Sequence, residues 1–228
     1  MHPTAMANCK TFFETYENCF DKNTSVNVIE IGSQDVNGSL REVCPKDFVY
    51  KGLDFQKAKG VDIVLNDPYI LPLESESVDI VLSSSCFEHS EMFWLVYLEI
   101  MRVLKPHGLF YLNVPSSGDF HRFPLDCWRF YPDSGKALVT WDIRQGGNSA
   151  LLESFTQVGG KWQDYVSIFI KDSNLLNSYP KRIIETKLDY ENGQIFGSNE
   201  IYNPAWISQN EKKLQIIDKI VNEQIALK

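Results

Sequence analysis

The chain has 228 residues, 43% of them hydrophobic, which suits one α/β domain with an appendage and a sizeable core. Its 22 basic side chains against 30 acidic ones give a formal net charge of −8. Binding to a nucleic acid backbone needs many Lys and Arg side chains, so this charge argues against a nucleic acid partner.

The five cysteines contain no CxxC pair, which argues against a disulfide framework and against a zinc site. Reduced thiols of this kind are typical of a cytoplasmic protein. The N-terminal stretch carries acids and no long apolar run, so we expect no signal peptide. The longest apolar run, residues 92–98, is too short to cross a membrane.

Hydrophobic runs alternate with turns and helical patterns along the chain. The pattern predicts helices at 4–20, 90–104, 133–141 and 208–228, and strands at 26–31, 48–54, 61–65, 78–82, 109–114, 151–157 and 165–170. Residues 40–43 suggest only the remnant of a helix, which ends before Pro45.

This order of elements predicts the α/β class, with a mostly parallel seven-stranded sheet and helices on both faces. The last two strands are joined by Val158-Gly159-Gly160-Lys161, which predicts a C-terminal antiparallel hairpin. Residues 1–172 would form the main domain with its N-terminal helix. The more polar residues 173–228 would form an extension that carries an amphipathic helix.

The turn after the first strand organises the predicted site. An apolar run, 26–31, is followed at once by Gly32, small polar residues and Gly38. Glycines let a backbone approach a ligand closely, so this order predicts a buried strand, a tight turn and a helix that starts beneath a ligand. A strand followed by two glycines is, however, often only a turn.

Acidic side chains lie at or just after the ends of three successive predicted strands, at Glu30, Asp54 and Asp67. The carboxyl ends of parallel strands meet at one edge of a sheet, so we expect these carboxylates to share that edge. An acid at the end of the second strand can accept both hydroxyls of a ribose. Three acids in series favour a nucleoside site over simple capping of helices.

Four stretches, in order, resemble motifs of class I S-adenosylmethionine-dependent methyltransferases of the methyltransferase-11 type. They are Val28-Ile29-Glu30-Ile31-Gly32, Gly52-Leu53-Asp54, the run 66–81 with its Leu71-Pro72 dipeptide, and Cys86-Phe87-Glu88-His89 followed by 98–108. The last two are specific. The first departs from the family's E/D-x-G-x-G-x-G pattern, because Gln34 and Val36 stand where two glycines are usual.

The resemblance implies a Rossmann-like fold that binds S-adenosyl-L-methionine. By this resemblance Asp54 would hold the ribose hydroxyls and Asp67 the adenine amino group, while Glu30 and Gly32 would lie under the methionine part. An acidic rim suits a cofactor that carries a sulfonium and an ammonium group. The other expected cofactor-binding residues are Ser33, Gly38, Asn66, Ser84 and Ser85.

Two histidines are candidates for the catalytic proton transfer. Methyl transfer is an in-line displacement that needs alignment, and a hydroxyl or amine acceptor must also lose a proton, for which histidine is suited. His89 follows the fourth strand and His121 the fifth, so both loops should face the cofactor edge. The alternative for His89 is a residue at the start of a helix that bonds to the backbone.

Residues 121–132 are dense in polar and aromatic side chains and resemble a segment of a bacterial subgroup of these methyltransferases. Arg122 and Arg129 could bind a carboxylate or phosphate of the substrate, with Asp126 beside them. Trp128 and Tyr131 could stack on a sugar or a ring. The alternative is an aromatic lid that holds an internal Arg–Asp pair.

Glu88, His89, His121 and Asp126 offer ligand atoms, but no pair has a reliable ligand spacing, so no metal is expected. The favoured function is a cytoplasmic methyltransferase that acts on a hydroxyl or amine of a small molecule or glycan intermediate. The alternatives are a non-catalytic S-adenosylmethionine-binding partner module, and an oxidoreductase, which the absent G-x-G-x-x-G fingerprint disfavours. The terminal helices could join two copies as a homodimer.

Overall fold

The computed structural model describes residues 2–21, 23–206 and 209–222, and one mixed sheet runs through them. Its strands are β1 (Asn27–Ile31), β2 (Val49–Asp54), β3 (Ile63–Val64), β4 (Val78–Ser84), β5 (Leu104–Pro115), β6 (Ala150–Gln157), β7 (Asp164–Ile170) and β8 (Tyr190–Ile195). The helices are α1 (Pro3–Tyr16), α2 (Phe93–Val103), α3 (Ser134–Arg144) and α4 (Gln209–Val221). The strand order is β3-β2-β1-β4-β5-β7-β6-β8.

The first five strands are parallel, and β1 lies between β2 and β4, where Val28 pairs with both Tyr50 and Ile80. Every residue of β4 is buried, as expected for a parallel strand that is covered on both faces. The last three strands are antiparallel, since β5 pairs with β7, β7 with β6, and β6 with β8. The carboxyl ends of β1, β2, β4 and β5 therefore meet at one edge.

Two hydrophobic cores cover the two faces of the sheet. Successive residues of a strand point to opposite faces, so Val28 belongs to one core and Ile29 to the other. Helix α1 covers the first face, where Phe12 packs against Tyr111. Helices α2 and α3 contribute to the second core.

The predicted fold class is confirmed: the sheet is mostly parallel, ends in antiparallel strands and has helices on both faces. It has eight strands rather than seven, because β8 adds an antiparallel edge strand from within residues 173–228. The sequence of β8 is polar, and Asn192 has a φ of 54°, so no alternation marks this strand. An edge strand has only one neighbour, which reduces its need for apolar side chains.

The observed helices depart from their predicted ranges mostly at their ends. The helix expected beneath the first turn is a single 3₁₀ turn, Leu40–Glu42, which matches the predicted remnant. Helix α2 begins at Phe93 rather than at residue 90, because the 3₁₀ turn Phe87–His89 precedes it. Helix α4 lies within the predicted range 208–228, of which 208 and 223–228 are outside the described residues. Within the described ranges, each helix is too short or too polar to cross a lipid bilayer.

Candidate functional site

A cavity of about 760 Å³ opens at the edge where β1, β2, β4 and β5 end. Its volume is in the range of small-molecule sites, and its position is where open α/β sheets bind ligands. Its wall is formed by residues that follow these strands and by the loop after β5. The lining residues on which the argument depends are His2, Gly32, Gln34, Asp54, Phe55, Leu65, Tyr69, Ser84, Ser85, Cys86, Glu88, His89, His121, Arg122, Phe123 and Trp162.

The turn after β1 is held tightly between its neighbours. The N–H groups of Gly32 and Ser33 both donate to the carbonyl of Leu53, at 2.9 and 3.1 Å. Gly32 has a φ of +80°, and a Cβ there would lie 2.6 Å from both Cβ and Sγ of Cys86. The turn therefore requires glycine at this position, both for its conformation and for its close approach to the chain after β4.

Side-chain bonds fix the rest of this turn, where the family pattern has two further glycines. The Asp35 carboxylate accepts the Gly38 N–H at 2.8 Å and pairs with Lys59 at 2.5 Å, while the Asp35 N–H donates to the Lys59 carbonyl at 2.8 Å. The hydrogen bond from Lys59 lowers the pKa of Asp35. Gln34 and Val36 consequently face the cavity on a backbone that the segment after β2 holds in place.

Asp54 ends β2 at the cavity wall and is 7% exposed. Its carboxylate accepts the N–H groups of Gln34 and Gln56, each at 3.3 Å. Phe55, Leu65 and Tyr69 form an apolar wall beside it. A carboxylate next to an apolar slot suits a nucleoside, with its ribose hydroxyls on the acid and its base in the slot.

Ser84 and Ser85 also line the cavity, at the end of β4. Ser85 has a φ of 51°, a conformation that is uncommon outside glycine, and its N–H donates to the Asn113 carbonyl at 2.9 Å. Such strained positions concentrate at functional sites. The turn at Ser85 thus directs the chain from β4 across the cavity toward Glu88 and His89.

The other expected cofactor residues lie outside the lining. Glu30 is buried and accepts a hydrogen bond from the Tyr50 hydroxyl, and burial raises the pKa of Glu30 to about 7. Asp67 is exposed and accepts the Tyr69 N–H at 2.8 Å, which holds Tyr69 in the wall. The remaining three residues outside the lining are Ser33, Gly38 and Asn66.

His89 and His121 meet at the opposite side of the cavity, with ring centroids 4.9 Å apart and an interplanar angle of 84°. Nδ1 of His89 bonds to the Leu125 carbonyl. Burial lowers the pKa of His89. His89 therefore makes a hydrogen bond to the backbone, as the alternative predicted, and the same ring faces the cavity.

His121 is positioned by Asp126, whose carboxylate accepts the His121 N–H at 2.7 Å and lies 3.4 Å from Nδ1. Arg129 donates two hydrogen bonds to the same carboxylate, at 2.6 and 2.9 Å. These bonds lower the pKa of Asp126 to about 2. Asp126 and Arg129 therefore form the internal pair of the alternative prediction, and they hold the loop that carries His121.

Among the expected substrate residues, Arg122 lines the cavity and four do not. The Trp128 indole N–H donates to the Ser90 carbonyl at 2.9 Å, and its ring meets Phe93 edge to face at 5.4 Å. Tyr131 is 67% exposed. Trp128 thus attaches the loop after β5 to the start of α2, and Asp126 and Arg129 support His121 from behind.

Three further polar or aromatic lining residues were not among the predicted catalytic, cofactor-binding or substrate-binding residues. Glu88 is buried beside His89, with Oε1 3.7 Å from Nε2 of His89. The Trp162 ring lies 4.5 Å from the His121 ring, and a Cβ on Gly118 would lie 2.2 Å from Trp162. His2 reaches the cavity from the start of α1. The Glu-His dipeptide was a sequence signal for Glu88, whereas only the fold brings the other two to the site.

Residues 22–112 match the family described as "Methyltransferase domain". No curated protein matches the chain in sequence. The solved structures that share its fold include two at 14% identity. A 1,6-didemethyltoxoflavin-N1-methyltransferase from Burkholderia thailandensis has a TM-score of 0.55, over 74% of this chain and 79% of its own. A SAM-dependent methyltransferase from Methanosarcina mazei has a TM-score of 0.50, over 75% of this chain and 98% of its own.

These findings agree with the geometry of the cavity, where Asp54 and the Gly32 turn lie on one side and His89 and His121 on the other. Residues 22–112 are therefore identified as a methyltransferase domain, and the fold around them is that of S-adenosylmethionine-dependent methyltransferases.

Proposed function

We propose that this methyltransferase transfers the methyl group to a hydroxyl or amine of a small molecule or glycan intermediate. The observation that carries the proposal is the pair of histidine rings, His89 and His121, in the same cavity as Asp54. Hydroxyl and amine acceptors must lose a proton, and imidazole accepts protons near neutral pH. A binding module without catalysis would have no use for this pair.

The side of the cavity at β1 and β2 suits the cofactor. Asp54 offers a carboxylate that the Gln34 and Gln56 N–H groups hold in place, and Phe55 and Tyr69 offer flat apolar surface for the adenine. S-adenosylmethionine, when bound, supplies a methyl group on a sulfonium sulfur. We propose that Gly32, Ser84 and Ser85 contact it as well. Glu30, Ser33, Gly38, Asn66 and Asp67 would act by shaping the turns around it.

The opposite side suits the acceptor. Trp162 and Phe123 provide aromatic surface, and Arg122 lies beside them in the loop after β5. Aromatic rings stack on sugars and on flat heterocycles, while an arginine pairs with a carboxylate or phosphate. The Burkholderia protein binds 1,6-didemethyltoxoflavin together with S-adenosylhomocysteine, which supports a small-molecule acceptor for this chain as well. Asp126, Trp128, Arg129 and Tyr131 would shape the loop rather than contact the acceptor.

Calorimetry with S-adenosylmethionine and S-adenosylhomocysteine tests the cofactor side directly. A panel of hydroxyl and amine acceptors, among them nucleotide sugars and hydroxylated heterocycles, then tests turnover through formation of S-adenosylhomocysteine. We expect both cofactor forms to bind and one acceptor class to react. A folded protein that binds neither form, or that binds both but methylates only carbon acceptors, contradicts the proposal.

We also propose that two copies associate through α4. Leu214, Ile217 and Val221 lie on this helix with exposed fractions of 59%, 55% and 72%. Light scattering should give twice the monomer mass, and Ile217→Glu should restore the monomer.

All five cysteines are unpaired, which supports a reducing compartment such as the cytoplasm.

A further inference from the structure

Three potential metal ligands meet on the acceptor side of the cavity. One ligand atom each from Glu88, His89 and His121 lies within 4.8 Å of the other two. The first two follow β4 and the third follows β5, and these strands are parallel neighbours in the sheet. The sequence offers these ligand atoms without a reliable ligand spacing, and the pairing of the two strands brings them together.

Both imidazoles are oriented as metal-binding histidines are. Nδ1 of His89 bonds to the Leu125 carbonyl, and Nδ1 of His121 lies 3.2 Å from the Asp119 carbonyl and 3.4 Å from the Asp126 carboxylate. A histidine whose Nδ1–H donates to a carbonyl or carboxylate keeps the lone pair of Nε2 for an ion. The hydrogen bonds described for the two rings are made by Nδ1 in both cases.

Glu88 has an orphaned oxygen at the same place. Oε2 is shut off from solvent and has no hydrogen-bond partner among the described residues, while Oε1 lies 3.7 Å from Nε2 of His89. Buried polar atoms without a partner are rare and costly. A cation bound between these groups would give the carboxylate its missing partner.

The spacing also fits an ion. Donors that lie about 2.1 Å from a tetrahedral ion are about 3.4 Å from one another. The Glu88–His89 pair, at 3.7 Å, is already close to this separation, and the widest spacing, 4.8 Å, needs a side-chain movement of about 1.4 Å. Two imidazoles and one carboxylate favour Zn²⁺, Fe²⁺, Mn²⁺ or Co²⁺ over Mg²⁺ or Ca²⁺, which prefer oxygen ligands.

We propose that Glu88, His89 and His121 bind a divalent transition-metal ion that holds an oxygen of the methyl acceptor. The role of the ion rests on the proposed function, although its binding does not. Three protein ligands leave a position open for the acceptor. A hydroxyl bound to the ion would have a lower pKa and would lose its proton to water. Its oxygen would then form the bond to the methyl carbon while the bond from that carbon to the sulfonium sulfur breaks, and S-adenosylhomocysteine would leave. The proposal narrows the acceptor to a hydroxyl compound.

Titration of chelator-treated protein with Co²⁺ tests the site, with the visible absorption of the ion and the fluorescence of Trp162 as readouts. The Trp162 ring lies 4.5 Å from the His121 ring, so a bound ion should quench it, and Trp162→Phe should remove that quenching. We expect one ion per chain in the wild type. Glu88→Gln and His121→Gln should each weaken binding at least tenfold, as the loss of a ligand does.

His107→Gln is the matched control, because His107 lies at the other end of β5, beside Asp79. It should bind Co²⁺ as the wild type does. Absence of saturable binding in the wild type overturns the proposal, as does a thiolate-to-cobalt charge-transfer band, which would assign the ion to a cysteine. The proposal is also overturned if the His121→Gln protein has the circular dichroism of the wild type and binds Co²⁺ with unchanged affinity.

Activity separates this inference from the proposed function. If the ion binds and no hydroxyl or amine acceptor reacts, the proposed function fails while the metal site stands. If turnover is unchanged after chelation, the histidines act on the acceptor without an ion, and the metal inference fails alone.

Discussion

The rings of His89 and His121 meet at 84°, with 4.9 Å between their centroids, although the two residues belong to loops that follow different strands. The β4–β5 pairing sets this relationship, since Ser84 lies opposite Asn113 at the ends of the two strands. Two bulky rings in contact at the cavity wall form one acceptor-facing surface.

His121→Gln should lower turnover far more than cofactor affinity. Loss of a group that handles the acceptor's proton costs about 10²–10⁴-fold in rate. S-adenosylhomocysteine contacts the other side of the cavity in the proposed function, so its dissociation constant should change less than about twofold. Steady-state turnover and calorimetry on the same preparation measure both. An equal loss in the two quantities would show that His121 serves cofactor binding.

Asp54→Ala should show the reverse pattern. A hydrogen bond to a charged group contributes about 1.5–3 kcal/mol, so losing even one ribose contact should weaken S-adenosylhomocysteine binding by about 10–150-fold. The exposed residue Asp47 lies outside the cavity lining and provides the control, Asp47→Ala. Calorimetry at constant pH compares the two variants. Unchanged affinity in a folded Asp54→Ala protein would remove Asp54 from the cofactor site.

Gly32→Ala should destabilise the protein more than Gly197→Ala does. Both glycines have a φ of +80°, so both substitutions carry the left-handed penalty of about 1–2 kcal/mol. A Cβ on Gly32 also meets Cys86 at 2.6 Å, whereas one on Gly197 meets nothing within 4 Å. Overpacking adds about 1–3 kcal/mol at Gly32 alone. Urea unfolding measures the unfolding free energy of the two variants. Equal losses of stability would show that the turn accommodates a Cβ at residue 32 without strain.

Glu30 should make stability fall as the pH rises. Its pKa is raised to about 7 by burial, from about 4.5 when unfolded. Between these values the unfolded state releases the proton and the folded state keeps it, so the free energy of unfolding declines by up to about 3 kcal/mol. In Glu30→Gln this decline should be absent. Urea unfolding at intervals from about pH 4.5 to pH 8 measures the difference between the two proteins.

Tyr50→Phe offers a matched test of the same carboxyl. The Tyr50 hydroxyl donates to Glu30, and this bond lowers the pKa of Glu30 against the larger effect of burial. Without this hydrogen bond the pKa of Glu30 should be higher, so the decline in unfolding free energy should continue to a higher pH. If the difference in unfolding free energy between the wild type and Glu30→Gln stays constant with pH, then Glu30 keeps its charge in the folded protein.

The parallel part of the fold could be predicted because its strands are buried on both faces, which makes runs such as 78–82 apolar except for Asp79. Asp54 could be placed at the cavity because an acid at the end of the second strand has a fixed position in such a sheet. Strand β8 could not be predicted, because an edge strand with Asn192 and Gly193 in its middle resembles a loop in sequence.

The acceptor side was harder to predict for a different reason. Glu88 faces the cavity, while Asp126 and Arg129 lie behind His121, and only the folded loop separates these roles. Composition identified the segment 121–132 as unusual, but which of its side chains face the cavity depends on long-range contacts such as the bond from Trp128 to Ser90. Trp162 follows β6 by several residues and reaches the site through the hairpin.

The cavity is divided along the middle of the sheet: β1 and β2 hold the side that suits the cofactor, and the loops after β4 and β5 hold the side that suits the acceptor. The turn at Gly32 is bonded to Leu53, whereas the loop after β5 is bonded to Glu88 and Ser90. New acceptor chemistry could therefore be selected by varying residues 119–129 alone, with the turn at Gly32 left as a constant platform. A library of variants confined to that loop would test new acceptors and leave the residues on the cofactor side unchanged.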